Sequence, residues 1–405
     1  MVVTQPGTFA ALRTPTYLRY WLGLVLYVLG HRAEYVTYAW IMWQLTESPL
    51  YLGYLGMAQG VPLLVFQLIG GVLADRVNRL RLLVVTQLLT SATLTTALVL
   101  AFLGIVRVPH LLVLAALSNT FRAFDEPSRM SLIPQLVDRT RLRNAIALGS
   151  IPWQAGRMIG PSITGLLIAA FGGTSGFAVA TLSSYGALIL YSGLRISGEA
   201  PRGTHESRFE QFTAGLRFVA GNFVFSSLIG LALLNSLFGI SYVTLLPIYA
   251  DKYFHAGSTG YGLLQAAHGG GALIGTFTLA SIAHRIRHQG TALLTGAVGL
   301  GVALMLFSRA PVLAVALPIL MAVGFSNTFY LTQINSLLQH NVPDHLRGRV
   351  MSLYSLCWNL MPLGGLIAGM LAAAVDARFA LLVGGAIVAA NALLLLRSAR
   401  LRRLA

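Results

Sequence analysis

Apolar blocks of about twenty residues follow one another along the whole chain, separated by short clusters rich in arginine, glycine and proline. A helix of that length crosses about 30 Å of hydrocarbon at about 1.5 Å per residue. The blocks predict spans near 17–43, 51–74, 82–104, 110–133, 144–171, 174–195, 222–249, 259–283, 290–308, 311–336, 350–374 and 379–397. This is the pattern of an all-α polytopic membrane protein with 12 transmembrane helices. One interval breaks it: from about Ser197 to Gly221 the chain is polar, which divides it into an N-terminal six-helix half (1–196), a linker (197–221) and a C-terminal six-helix half (222–405).

Internal repetition supports that division. Ser118-Asn119-Thr120-Phe121 in the fourth span recurs as Ser326-Asn327-Thr328-Phe329 in the tenth. The run from Val137 to Arg143 is echoed between Val342 and Arg349. Matching places in each half point to duplication rather than coincidence.

Composition agrees: 56% of the residues are hydrophobic, 10% are charged and the mean hydropathy is +0.73. Soluble domains carry about 25% charged residues. A net charge of +16 raises the possibility of nucleic acid, but the basic residues form no stripe on a soluble face. They sort instead by loop. Arg13, Arg19, Arg76, the run Arg129 to Arg143, Arg195 to Arg217, Arg285, Arg287, Arg347, Arg349 and the tail from Arg397 fall on one side, and Arg107, Lys252, Arg309 and Arg378 on the other. The positive-inside rule then places both termini and the linker in the cytoplasm. The first apolar block is too long for a secretory signal and is expected to remain in the mature protein. Cys357 is the single cysteine, so no internal disulfide is expected.

Between the second and third spans the chain reads Gly71-Val72-Leu73-Ala74-Asp75-Arg76-Val77-Asn78-Arg79. This segment resembles the signature of major facilitator superfamily transporters. The resemblance implies two pseudo-symmetric six-helix halves, a substrate site between them, and a conformational latch of Asp75, Arg76 and Arg79 that closes the cytoplasmic side, with Gly71 allowing close approach. It also suggests that Asp125 joins the latch, and Pro127 and Arg129 suggest that the membrane surface is close to it. The second half carries a worn copy, Ala280 to Arg287, in which His284 replaces the aspartate.

A second segment, Gly156-Arg157-Met158-Ile159-Gly160-Pro161-Ser162-Ile163-Thr164-Gly165, resembles the antiporter motif of the same superfamily, with Thr164 in place of one glycine. Gly156, Gly160 and Thr164 share one helical face, where another helix can approach closely, and Pro161 can kink the span. Ordinary close packing would also account for it. Leu45-Thr46-Glu47-Ser48-Pro49, Gly60-Val61-Pro62 and Phe124-Asp125-Glu126-Pro127-Ser128-Arg129 together resemble the branch that holds enterobactin, macrolide and multidrug exporters. What this implies is proton-coupled efflux by a monomer in a bacterial inner membrane.

Charges inside the bilayer cost about 2.5 to 3.5 kcal/mol each on insertion scales, so the few present are candidates for coupling. Glu34 is the only acid deep in a predicted span and shares a helical face with His31, Tyr35 and Tyr38. It either carries the coupling proton or forms a static ion pair with Arg32 or Arg157. Arg122 in the fourth span stands three residues before Asp125, which offers a local partner; the superfamily links an arginine of that span to proton movement, although the usual surrounding motif is not intact here. His268, beside Gly269, Gly270 and Gly271, either titrates or joins helices by a hydrogen bond.

Polar and aromatic residues within apolar spans define a candidate substrate cavity: Tyr38, Gln59, Asn119, Trp153, Gln154, Asn235, Tyr242, Gln265, Asn327, Tyr330, Gln333, Trp358 and Asn359. Such side chains stack on and hydrogen-bond an amphipathic molecule, and they also join helices. With so few acids, the set favours neutral, zwitterionic or anionic substrates over multivalent cations. No ligand spacing points to a metal, no phosphate loop points to ATP, and no nucleophile, base and oxyanion set points to an enzyme; no cofactor is expected. The expected function is a secondary active exporter of amphipathic small molecules such as drugs or siderophore-like metabolites, working by alternating access. A lipid or lysophospholipid flippase and a non-transporting receptor or scaffold are the alternatives.

Overall fold

Helices form where the apolar blocks lie in the computed structural model, which describes residues 9–194, 216–282, 286 and 288–404, with the side chains of Leu68, residues 71–76 and His345 outside that description. No strand occurs among the described residues. The first half holds α1 (Pro15–Thr46), α2 (Pro49–Arg76), α3 (Arg79–Phe102), α4 (Val108–Leu136), α5 (Leu142–Phe171) and α6 (Gly173–Ser192). The second holds α7 (Phe223–Leu234), α8 (Gly257–Ile282), α9 (Gln289–Ser308), α10 (Leu313–Asn341), α11 (Asp344–Asn359), α12 (Met361–Ala374), α13 (Ala377–Leu396) and a terminal turn α14 (Ala399–Arg402). Among the described residues eight segments are long and apolar enough to cross a membrane. The helices α1, α4, α5 and α8 match them in length, at 26 to 32 residues, but carry polar and charged side chains in place of part of the apolar content.

Two predicted spans are interrupted. After α7 the chain passes through a π-turn at Asn235–Gly239, a 3-10 turn at Ser241–Leu245, one α-turn at Leu246–Ile248 and a second π-turn at Tyr249–Tyr253, ending beyond the expected residue 249. Gly239 leaves room for the folded side chain of Asn235, and Pro247 has no N–H to continue the ladder. The eleventh span breaks at Leu360, where Pro362 opens α12 and the Leu360 amide turns back to the Cys357 carbonyl at 3.2 Å.

The fold separates into two compact units, Met1–Leu45 with Ala58–Gly203, and Thr46–Met57 with Thr204–Ala405. In the first unit α3 and α6 are joined by a buried polar knot. Gln87 Nε2 donates to Ser184 Oγ at 2.7 Å and to its carbonyl at 3.1 Å, and the Ser91 and Ser184 hydroxyls lie 2.8 Å apart. Interhelical bonds of this kind contribute about 0.6 kcal/mol each inside a membrane. Tyr17 and Trp21 tie α1 to α5 by donating to the carbonyls of Ala145 and Leu148 at 2.6 and 2.9 Å. The joint between α5 and α6 is a single residue, Gly172, whose φ of 79° falls in the left-handed region that suits glycine.

In the second unit α8 and α10 approach backbone to backbone. A Cβ on Gly324 would collide with the His268 carbonyl oxygen and come within 3.0 Å of the Ala272 nitrogen. Gly149 in α5 has nothing within 4 Å of the same position. Gly324→Ala should therefore lower the melting temperature of the purified protein, because overpacking at a backbone contact costs about 1 to 3 kcal/mol. Gly149→Ala should leave it unchanged or raise it, since alanine favours a helix by up to about 1 kcal/mol over glycine; thermal unfolding in detergent separates the two.

Candidate coupling and substrate-binding site

Four basic or titratable groups and one acid collect at the centre of the first unit. Arg122 is the middle residue of α4, Arg157 lies beside the middle of α5, and His31, Arg32 and Glu34 lie within one turn of the middle of α1. A span centred on the bilayer places all of them near mid-depth. From the sequence, Arg32 or Arg157 is the expected static partner of Glu34, and Asp125 the local partner of Arg122. The structure instead joins Glu34 to Arg122, through a hydrogen-bonded ion pair between Oε2 and a terminal guanidinium nitrogen with both side chains buried. This pair links α1 to α4, and it consumes the one acid of the layer.

The remaining polar atoms around the pair are unmet. Among the described residues His31 Nδ1, Arg32 Nε, Glu34 Oε1, Tyr38 Oη and Arg122 Nε are buried without a hydrogen-bond partner. Buried groups left this way cost about 1 to 3 kcal/mol apiece, so such a concentration marks a place that water, protons or a ligand completes. Trp153 closes one side, its ring edge-on to His31 at 6.2 Å and to Tyr27 at 6.0 Å.

The antiporter-like segment supplies the floor. A Cβ on Gly160 would lie 2.7 Å from Arg32 Cβ, and one on Gly156 would collide with Val28 Cγ1. These two glycines are therefore the seat on which α1 crosses α5, and the Arg32 stem lies directly over Gly160. Thr164, which stands where the motif has glycine, turns its hydroxyl inward to the Gly160 carbonyl at 2.8 Å. α5 runs through Pro161 as a continuous helix, and Pro161 and Gly165 are both buried.

Toward the end of α4 lies a second charged cluster. Arg129 is 5% exposed and is held by Asp125 four residues earlier, with Arg129 Nε donating to Asp125 Oδ2 at 3.1 Å and a terminal nitrogen reinforcing it. Its guanidinium carbon stands 3.4 Å from the centroid of the Tyr27 ring, and it donates to the Tyr191 hydroxyl at 2.5 Å. The i, i+4 spacing of Asp125 and Arg129 was the available signal. Tyr27 and Tyr191 carried none, because their role depends on which faces of α1 and α6 meet α4. Asp125 is thus engaged within its own helix. The side chains of Gly71, Asp75 and Arg76 lie outside the described residues, as do His284, Arg285 and Arg287 of the worn copy and residues 197–215 of the expected linker. Arg79 donates to the Ser131 carbonyl at 3.3 Å, which ties the start of α3 to α4.

The expected cavity residues divide by unit. In the first, Tyr38 is buried edge-on against Phe177 at 5.1 Å and Asn119 donates to the Ala115 carbonyl at 2.9 Å, whereas Gln59, Trp153 and Gln154 are half-buried. In the second, Asn327 donates to Asn235 at 3.2 Å, Tyr330 donates to the Leu231 carbonyl at 2.7 Å, and Gln265 donates to Tyr261 at 3.1 Å. The Tyr242 hydroxyl and His268 Nδ1 lie 2.6 Å apart, so His268 is joined to another helical segment. Gln333 lines a separate cavity of about 290 Å³ with Thr276, Gln289 and Ser336. Trp358 and Asn359 are half-buried beside the break at Leu360.

A chain of long apolar helices whose buried charges sit at helix centres defines a multi-pass membrane transporter. It belongs to the transmembrane secretion effector family of the major facilitator superfamily, whose model matches residues 6–404. It is 29% identical over 354 residues to the multidrug efflux pump Tap of Mycolicibacterium fortuitum, covering 85% of this chain and 86% of the relative. It is 24% identical to the staphyloferrin A transporter of Staphylococcus aureus, with 86% and 87% covered, and 28% identical to the enterobactin exporter EntS of Escherichia coli, with 77% and 74% covered. Among solved structures, a bacterial homologue of the lysosomal transporter Spinster matches with a TM-score of 0.70 at 18% identity over 97% of this chain and 96% of that one. The peptide transporter POT matches with a TM-score of 0.73 at 14% identity over 95% of each chain. These likenesses establish the fold.

Removing one member of a buried ion pair costs about 3 to 5 kcal/mol, because the other charge is left unpaired. Asp125→Asn and Arg129→Gln should each sharply lower the melting temperature. The double variant should lose less than the sum of the two, since neither charge then remains. Thermal unfolding of the three proteins measures that coupling.

Proposed function

We propose that the protein is a proton-coupled secondary active exporter of amphipathic small molecules, exposing a mid-depth site alternately to the two sides of a bacterial inner membrane. The observation that carries this reading is the buried Glu34–Arg122 pair at the centres of α1 and α4. Its chemistry suits coupling. A proton arriving on Glu34 removes the counter-charge of Arg122 and leaves a buried guanidinium that must find another anion or a different environment, so protonation and helix position are linked. The unpartnered Glu34 Oε1 gives that proton an open acceptor.

Support for export comes from the family and from relatives whose names are multidrug efflux pump and enterobactin exporter, matched over most of their length. The seat made by Gly156 and Gly160 would keep α1 and α5 in register while the Glu34 region changes charge. The latch of Asp75, Arg76 and Arg79 belongs to the same proposal, with Arg79 already anchored on α4.

The test is transport into inverted membrane vesicles under an imposed pH gradient, using a panel of fluorescent dyes and macrolides. Wild-type protein should accumulate at least one of them, and collapsing the gradient should stop it. Glu34→Gln should reduce gradient-driven accumulation at least tenfold and flatten its pH profile. Transport that survives both the collapse and the substitution would remove the proton from the mechanism.

A further inference from the structure

The charge layer of the first unit does not balance. Among the described residues Arg32, Arg122 and Arg157 share one ion-paired acid, Glu34, and it is bonded to Arg122. Among the described residues neither Arg32 nor Arg157 has an acidic partner within ion-pair distance. Apart from burial itself, the strongest electrostatic influence on Arg32 is the like charge of Arg157, partly offset by Tyr35 and Tyr27. Two guanidiniums are thus held near each other at the centres of two spans, with no carboxylate among the described residues within ion-pair distance of either.

Their surroundings show where they point. Arg157 is exposed and Arg32 half-buried, although each lies at the middle of a helix about 30 residues long. A charged group at that depth facing lipid is heavily penalised, so the exposure of these two arginines fits a face that water reaches. The Arg32 stem is fixed from below by Gly160, and its Nε is buried and without a partner among the described residues, so the group is both positioned and unsatisfied. Trp153 stands four residues before Arg157 on the same face of α5, which places an aromatic plane beside the two cations.

We propose that Arg32 and Arg157 form a binding site for acidic substrates, taking two or more carboxylates of an organic acid while Trp153 receives its apolar body. Guanidinium groups suit this task because each offers a planar pair of donors that matches a carboxylate. A single carboxylate leaves one arginine unmatched, so the site selects for polyvalent acids. The word substrate rests on the exporter reading above; the site itself does not, and it is tested at equilibrium without a gradient.

The experiment is titration calorimetry of the purified full chain in lipid nanodiscs with citrate, acetate, inorganic phosphate and the cationic dye rhodamine 6G. Citrate should bind at least tenfold more tightly than acetate, a comparison that needs no variant. Arg32→Gln and Arg157→Gln should each weaken citrate at least tenfold, and Arg157→Lys, which keeps the charge, should weaken it less. Acetate binding as tightly as citrate, citrate affinity unmoved by both glutamine variants, or phosphate bound in preference to citrate would each overturn the assignment. Absence of citrate binding to the wild-type protein beside its intact gradient-driven dye export overturns the acidic site alone. Intact citrate binding beside absent export of every compound overturns the exporter reading alone.

Discussion

Hydrocarbon cannot solvate an ion, and the first unit is organised around the consequences of placing four charges where hydrocarbon would otherwise be. α1, α4 and α5 give up part of their apolar content to carry the charges, and Glu34 on α1 neutralises Arg122 on α4. The glycine seat under Arg32 brings α1 close enough to α5 to hold a third charge in place. Arg129 is handled differently. It is wrapped by Asp125, Tyr27 and Tyr191 and left with no access to an outside partner, as befits a charge that stabilises and does not exchange. One arginine cluster is closed, and the other keeps buried polar atoms without partners among the described residues.

The second unit contains no comparable charge layer among the described residues. Its polar groups satisfy one another across helices through Asn235, Asn327, Tyr242 and His268. Its irregularity lies in the backbone instead, in the two π-turns and the 3-10 turn that follow α7. Turns of this kind inside a span recur at functional sites, because they leave backbone groups and side chains in positions that a regular helix would cover. The two units thus contribute unlike parts, charge in one and broken helix in the other.

The spans were legible because length and apolarity are local properties. The two breaks were not, because they depend on how Asn235 folds over Gly239 and on which carbonyls Pro247 and Pro362 leave unpaired. Glu34 was legible as the lone acid deep in a span. Its partner was not, since Arg122 is 88 residues away and only the rotation of α1 against α4 selects it over Arg32 and Arg157. The burial of Arg129 was not legible, because counting arginines toward one membrane face treats each as solvated, whereas this one is covered by an aspartate one turn before it and by aromatic rings from other helices. The glycines of the antiporter-like segment were legible as a close-packing face, but the sequence did not say that the chain they admit carries a charge.

The imbalance at the centre of the first unit has an electrical consequence. With a divalent acid bound as proposed and Glu34 ionised, the layer would be neutral when loaded and carry two uncompensated positive charges when empty, so the membrane voltage would act on the empty carrier and hardly on the loaded one. Moving one charge fully across 100 mV corresponds to about 2.3 kcal/mol. An interior-negative voltage draws an empty, positively charged site back toward the cell interior, the direction an exporter must reset. In the proposed exporter the voltage would then drive the return stroke and leave a proton on Glu34 to time it.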